Sequence, residues 1–312
     1  MHNIIIGKLI NGQVDFVQSF GLLSSGLYVP FAMVLPYVIS FYLVLSLLED
    51  VGYLPRLAVL VDTIMHRLGL HGYAIIPTLL GLGCNVPAIL ATRILESKRE
   101  RFIAATLISI AIPCAALQAM VFGLVGEHGG QYVAIVYGTL FIVWIILGTI
   151  LRYVVKGFTP ELLVEIPPYR LPLWRATLQK LWMRVYGFLA EAVPIILGAV
   201  LVINILYFVG VFEAIANFTA PVITNLLGLP KETVTAVVIG FLRKDVALGM
   251  LAPLALSAKQ LVVASVVLAM FFPCIATFVV LLRELGVVNM LKSAGIMISA
   301  ALITGGILNL VL

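Results

Sequence analysis

Charge is scarce in this chain. Asp, Glu, Lys and Arg make up only 11% of its 312 residues, against about a quarter in a soluble domain. With 62% apolar residues and a mean hydropathy of +1.18, that deficit excludes a soluble globular protein. It predicts an all-α polytopic membrane protein. Three cysteines are too few for a disulfide framework. No GxxxxGK[ST] phosphate loop, zinc-protease helix or nucleophilic triad is present, so neither an enzyme nor a GTP site is read in these residues. The opening "MHNIIIGKLINGQVDF" has no basic leader and no small-residue cleavage pattern, which excludes a signal peptide. It reads as a short helix along the interface, leading to a turn at "LLSSG". The net charge of +5 does not point to nucleic acid, because Lys and Arg in such a chain mark cytoplasmic loops.

Apolar runs of about 20 residues are plentiful. They predict about eight transmembrane helices, near 31–48, 73–92, 102–125, 131–151, 185–209, 232–256, 260–282 and 290–311. The stretch 55–69, "PRLAVLVDTIMHRLG", opens on proline and closes on glycine; with two Arg and one Asp it reads as interfacial or re-entrant. Arg93, Lys98, Arg99, Arg101, Arg152, Lys156, Arg170, Arg175, Lys180 and Arg184 then mark the cytoplasmic side, with both termini cytoplasmic in a multi-pass protein of the cell membrane.

The chain also repeats itself. "LPYVISFYLVLSLLEDVGYL" from Leu35 aligns with "VPIILGAVLVINILYFVGVF" from Val193, Pro36 meeting Pro194 at an offset of 158. "LGL" at 68 meets "LGL" at 227, and Gly81 meets Gly240, at 159. "IPCAA" meets "FPCIA", with Cys114 opposite Cys274 at 160. Two copies of a three-span unit follow, in the same orientation by this span count. The expected units are an N-terminal interfacial segment at 1–30, a first repeat at 31–125 and a connecting span with a basic cytoplasmic loop at 126–184. A second repeat at 185–284 and a last helix at 285–312 complete the chain.

The chemistry is expected where the spans break. "GLGCNVPAIL" places two glycines, Cys84, Asn85 and Pro87 near mid-bilayer, where open backbone survives only inside protein or along a watery path. Such interrupted helices form transporter sites; the plain alternative is a kink for close packing. In the second repeat Arg243, Lys244 and Asp245 interrupt an apolar span, and each charge there costs about 3 kcal/mol. Cys114 and Cys274 each follow a proline. Thiolate suits late first-row metals, and amide or carboxylate oxygen completes a shell, so Cys84, Asn85, Cys114, Asp245 and Cys274 are candidate ligands for a divalent cation. Glu49 and Asp50, at the outer end of the first span, could gather cations at a mouth or be a solvated helix end. His66 and His71 read as ordinary surface histidines.

"LEDVGYLPRLAVLVD", "GLGCNVPAILATRILESKRER", "IPPYRLP" and "PCIATFVVLLRELG" resemble signatures of the FeoB ferrous-iron transporters, in order over nearly the whole chain. The resemblance implies two gate-type repeats with broken helices at mid-membrane and Fe(II) as transported substrate. It also implies a pore served by Cys84, Cys114 and Cys274, with Glu49 and Asp50 in the LED motif. Family members usually carry a GTPase domain. These residues contain none, which implies a separate GTPase on the cytoplasmic loops, a split or divergent member, or a membrane part taken alone. The partners expected are Fe(II), that GTPase, the lipid bilayer and, in a homo-oligomer, further copies of the chain, but no nucleic acid. The rival readings are a gate-fold transporter of an organic solute such as a nucleoside, and a non-transporting membrane assembly protein.

Overall fold

The computed structural model describes residues 9–10, 13–14, 31, 35–157, 169–208, 226–230, 251–254, 256–271 and 273–312, together with Thr224, Thr233, Val234, Ala236, Gly240, Lys244 and Ala247. Near the start, β1 (Leu9–Ile10) pairs antiparallel with β2 (Gln13–Val14), where a helix was expected. The intervening Asn11-Gly12 is the dipeptide that two-residue hairpin loops select.

Helix α1 (Leu35–Asp50) leads to α2 (Tyr53–Arg67) through Gly52, whose φ of 84° is left-handed. α2 buries Leu54, Ala58 and Met65 and exposes Val59, Leu60 and Ile64. It lies along the protein as an amphipathic helix. Gly72 crosses it so closely that a β-carbon there would stand 2.0 Å from the Ala58 carbonyl oxygen. The Gly72 amide donates to Asp62 Oδ1 at 2.7 Å.

The next segment was expected to cross the membrane and does not. Helix α3 (Ile75–Gly83) runs inward, Cys84 breaks it with extended backbone (φ −152°, ψ 134°), and α4 (Asn85–Ala91) follows. The chain then returns to where it began: Arg99 reaches the Gly69 carbonyl at 3.4 Å, and His71 Nε2 lies 3.7 Å from Glu100 Oε2. Each arm spans no more than about 18 Å at 1.5 Å per residue, about half of a bilayer's hydrocarbon core. Residues 73–92 are therefore a re-entrant hairpin. Pro87 sits in the first turn of α4, where its missing N–H costs nothing.

Helix α5 (Lys98–Ala111), capped by Ser97, is interrupted at Ile112–Cys114 and continues as α6 (Ala115–Leu124); α7 (Gly130–Val154) runs back. Helix α8 (Trp174–Phe208) carries Pro194. Helix α9 (Ala258–Met270) is capped by Ser257, interrupted before Cys274, and followed by α10 (Ile275–Val311). Lys98–His128, Gly130–Val154 and Ala258–Val311 are each long and apolar enough to cross a membrane. The last, at 54 residues, is far longer than the roughly 20 one crossing needs. It doubles back at Gly286, whose φ of 76° and ψ of 166° suit glycine.

Contacts sort the ends into two faces. Arg93 pairs with Glu284, Arg99 binds the carbonyls of Arg152 and Val155, and Glu49 and Asp50 bind Lys180 and Arg184; these make a basic face. At the opposite face Gln260 donates to the Gly228 carbonyl and Asn309 to that of Leu226. The C-terminal helix thus ends away from the basic face, where the sequence placed both termini with it. Arg56 and Arg67 on α2, and Arg283 and Lys292 around the Gly286 bend of α10, also belong to this face.

Residues related by the 159–160 offset occupy matched positions. Gly69 and Gly228 both have left-handed φ, 76° and 64°. Ser97 and Ser257 accept from the amides of Glu100 and Gln260. Cys114 and Cys274 each cap the helix after a break. A β-carbon on Gly81 would meet Ile108, and one on Gly240 would meet Leu268. The stretch that aligns with 73–92 falls mostly outside the described residues; Gly228 and Gln260, on either side of it, touch, as Gly69 and Arg99 do.

Gly72→Ala drives a methyl group into the α2 backbone. We expect it to destabilise the detergent-solubilised protein by about 1–3 kcal/mol, read as a lowered Tm, whereas Gly123→Ala, with open space around it, should leave Tm unchanged.

Candidate functional site

Proline imposes the interruptions. The residue before a proline is pushed out of the α region, and Ile112, before Pro113, is extended at φ −102° and ψ 102°. Cys114 and Cys274 follow with ψ near 160° (162° and 156°) before their helices restart. Helical pairing lapses over these residues inside apolar helices, where the backbone must find partners within the protein. Gln118 supplies part of the replacement: its Nε2 donates to the Pro113 carbonyl at 2.8 Å and to the Leu82 carbonyl at 3.1 Å. One amide thus bridges the α5–α6 interruption and the hairpin tip.

The three cysteines converge. Cys84 lies within electrostatic reach of both Cys274 and Cys114, and all three are free thiols with partial exposure. Cys274 Sγ is 3.1 Å from Thr277 Oγ1. Beside Cys84, Asn85 is 6% exposed, and its Oδ1 has no hydrogen-bond partner among the described residues. At Gly83 a β-carbon would meet the Phe41 ring at 3.0 Å, so glycine lets α1 pack onto the tip. Among the described residues no three His, Cys, Asp or Glu side chains are close enough together to hold a metal ion. Asp245 lies outside the described residues.

Sequence reasoning named Lys244 only as part of a charged run. It is 6% exposed, donates from Nζ to the Ala269 carbonyl at 2.7 Å, and is within electrostatic reach of Cys114 and Cys274. The signal was its alignment with Asn85 at offset 159: the aligned position carries asparagine in the first copy and lysine in the second. Tyr42, within reach of Cys84 and Arg184, had no signal beyond an apolar helix.

Two expectations are corrected. His71 is no surface histidine: it is 3% exposed against Glu100, which is 0% exposed, because the hairpin returns and buries its own starting point. Glu49 and Asp50 do not form an outer mouth. They lie at the basic face, already neutralised: Lys180 binds Asp50 at 2.5 Å and Glu49 at 3.4 Å, Arg184 binds Glu49 at 2.6 Å, and Thr177 donates to Asp50. The four charges clasp α1 to α8. Burial alone would raise the Asp50 pKa. Hydrogen bonds from Lys180 and Thr177 and the positive charges of Lys180 and Arg184 outweigh it and hold the carboxyl below the usual range. The hydrogen bond to Asp50 raises Lys180, burial opposes it, and the charges of Glu49 and Asp50 add to the rise.

The clasp is thus complete between the two ranges. The Asp50 contribution is present above its unfolded value of about 3.9 and fades as pH falls through its lower folded value. The Lys180 contribution is present below about 10.4 and fades as pH rises through its higher folded value. Asp50→Asn should remove roughly 2 kcal/mol at pH 7 and flatten the acid limb of a Tm-against-pH curve; an unchanged limb would show that Asp50 does not carry it.

Comparison with known sequences is consistent with this geometry. The family model Gate, described as "Nucleoside recognition", matches twice, at 31–128 and 189–288. "Ferrous iron transport protein B C terminus" matches at 133–184. The Fe(2+) transporter FeoB of Methanocaldococcus jannaschii is 30% identical over 288 residues, covering 80% of this chain and 43% of that protein. A Fe(2+) transport protein A/Fe(2+) transporter FeoB fusion protein of Porphyromonas gingivalis is 38% identical over 174 residues, 54% of this chain and 20% of its own length. The Fe(2+) transporter FeoB of Staphylococcus aureus strain COL is 35% identical over 211 residues, 64% and 31% of the two chains. The chain spans less than half the length of these relatives. With its Gate segments on both sides of the FeoB C-terminal segment, it belongs to the FeoB family, whose membrane part it matches.

Proposed function

We propose that this chain is the membrane permease of a ferrous-iron transporter and that Fe(II) passes where the helix interruptions meet. The observation that carries the reading is the convergence of Cys84, Cys114 and Cys274, from three separate breaks, beside the unpartnered Oδ1 of Asn85. Soft thiolate and amide oxygen suit Fe(II), which sits low in the affinity order of late divalent metals and so exchanges readily. A conducting site must hold its ion weakly enough to release it. Asp245 would join this path. Lys244 lies within electrostatic reach of two of the thiols, and its withdrawal from the Ala269 carbonyl would admit the ion. A GTPase partner would dock on the basic segments 93–101 and 152–184.

In this reading the two gate repeats are inverted rather than parallel. The α5–α6 pair runs from the basic face to the opposite one, and the α9–α10 crossing up to Glu284 runs the other way. Counting 73–92 and 232–256 each as a crossing produced the parallel arrangement; the first turns back, and Gly228 and Gln260, which border the second, lie together. The basic face is cytoplasmic, which puts the C-terminal end of α10 outside.

In liposomes the native chain should take up Fe(II), and Cys84→Ser with Cys274→Ser should lower that uptake at least about tenfold (about 1.4 kcal/mol). Undiminished uptake would remove the thiols from the path, and no uptake with or without added GTPase would overturn iron permeation. A nucleoside-dependent rise in Tm would instead favour the organic-solute reading that the Gate description suggests. Orientation has its own test. In right-side-out vesicles an impermeant maleimide should label Asn309→Cys directly and Lys156→Cys only after permeabilisation; the reverse pattern inverts the assignment.

A further inference from the structure

A second feature of the basic face lies away from the cysteines. The first turn of α5, the end of α7 and the second half of α10 enclose a cavity of about 860 Å³. Its rim carries Lys98, Arg99, Lys156 and Lys292, contributed from three different places in the chain. Arg99 is already engaged by the carbonyls of Gly69, Arg152 and Val155. That fixes its guanidinium and ties the rim together. The three lysines are exposed, and among the described residues no carboxylate lies within 4.0 Å of any of them.

Below the rim the character changes. Phe102, Leu147 and Leu151 form one wall, and Ile296 and Ile303 the other. Gly295, Ser299 and Ala300 recur along α10 at helical spacing and leave a trough between the walls. From Lys292 to Ile303 the trough descends about 16 Å at 1.5 Å per residue, well into hydrocarbon depth. Val154 and Ile303 are exposed along it, so it opens sideways toward lipid.

We propose that this cavity is a binding site for an anionic phospholipid. The phosphate would rest among Lys98, Lys156 and Lys292, and one acyl chain would fill the trough. A soluble anion would need only the rim; the apolar trough leading away from it selects a molecule with a charged head and a long tail. Basic pockets between transmembrane helices at the cytoplasmic side recognise such head groups. The site packs α5, α7 and α10 around one ligand, and does not depend on what the cysteine path carries.

The test uses the purified full chain in detergent, incubated with phosphatidylglycerol, with phosphatidylcholine of the same acyl chains, or with glycerol phosphate, and read by native mass spectrometry. Wild type should retain phosphatidylglycerol about tenfold more tightly than phosphatidylcholine and should not retain glycerol phosphate. The triple variant K98Q/K156Q/K292Q should lose that preference. Ala300→Phe, which fills the trough and leaves the rim intact, should lower retention of phosphatidylglycerol by a similar factor. Equal retention of the two lipids by wild type, an unchanged preference in the triple variant, or glycerol phosphate bound as tightly as the lipid would each overturn the proposal. Should the triple variant fail to elute as folded protein, Ala300→Phe decides alone: undiminished phosphatidylglycerol retention there overturns it.

Discussion

Backbone hydrogen bonding without water governs this molecule. In hydrocarbon every N–H and C=O must be paired within the protein, and this chain gives up regular pairing at Cys84, at Ile112–Cys114 and before Cys274. Each interruption is tolerable only because other elements surround it. Gly81 and Gly83 admit Ile108 and Phe41 against the hairpin. The buried hydrogen bond between Thr106 and Ser293, 2.9 Å long, fixes α5 to α10. The cavity-lined basic face and the clasp between α1 and α8 are the outer fittings of that arrangement.

Gathering the breaks gathers the chemistry. A helix end exposes backbone dipoles, and Cys84, Cys114 and Cys274 each stand at one. The two aligned positions are chemically unequal, asparagine at 85 and lysine at 244.

Much of this was legible in the residues. The offset of 158–160 located the matched glycines and cysteines, because each performs a local task that few other side chains perform, such as left-handed φ at Gly69 and Gly228; the matching caps at Ser97 and Ser257 came from the structure. The break at Cys84 was readable from Gly, Asn and Pro crowded together. Hydropathy could not say whether 73–92 crosses or turns back, since both paths need the same apolar surface. The same ambiguity at 73–92 and at 232–256 propagated into the repeat orientation and into the sides given to Glu49, Asp50 and the C-terminus. His71 was misread for the same reason, because its burial comes from Glu100, 29 positions later. Asp245 remains a sequence-level candidate.

The side chain of Gln118 has a mechanical implication. Its single amide nitrogen serves carbonyls on both the hairpin tip and the neighbouring interruption. Prising either one away strips that nitrogen of a partner in a medium that offers no substitute. Tip and interruption are therefore geared together, and whatever opens a route between them must shift both in a single stroke.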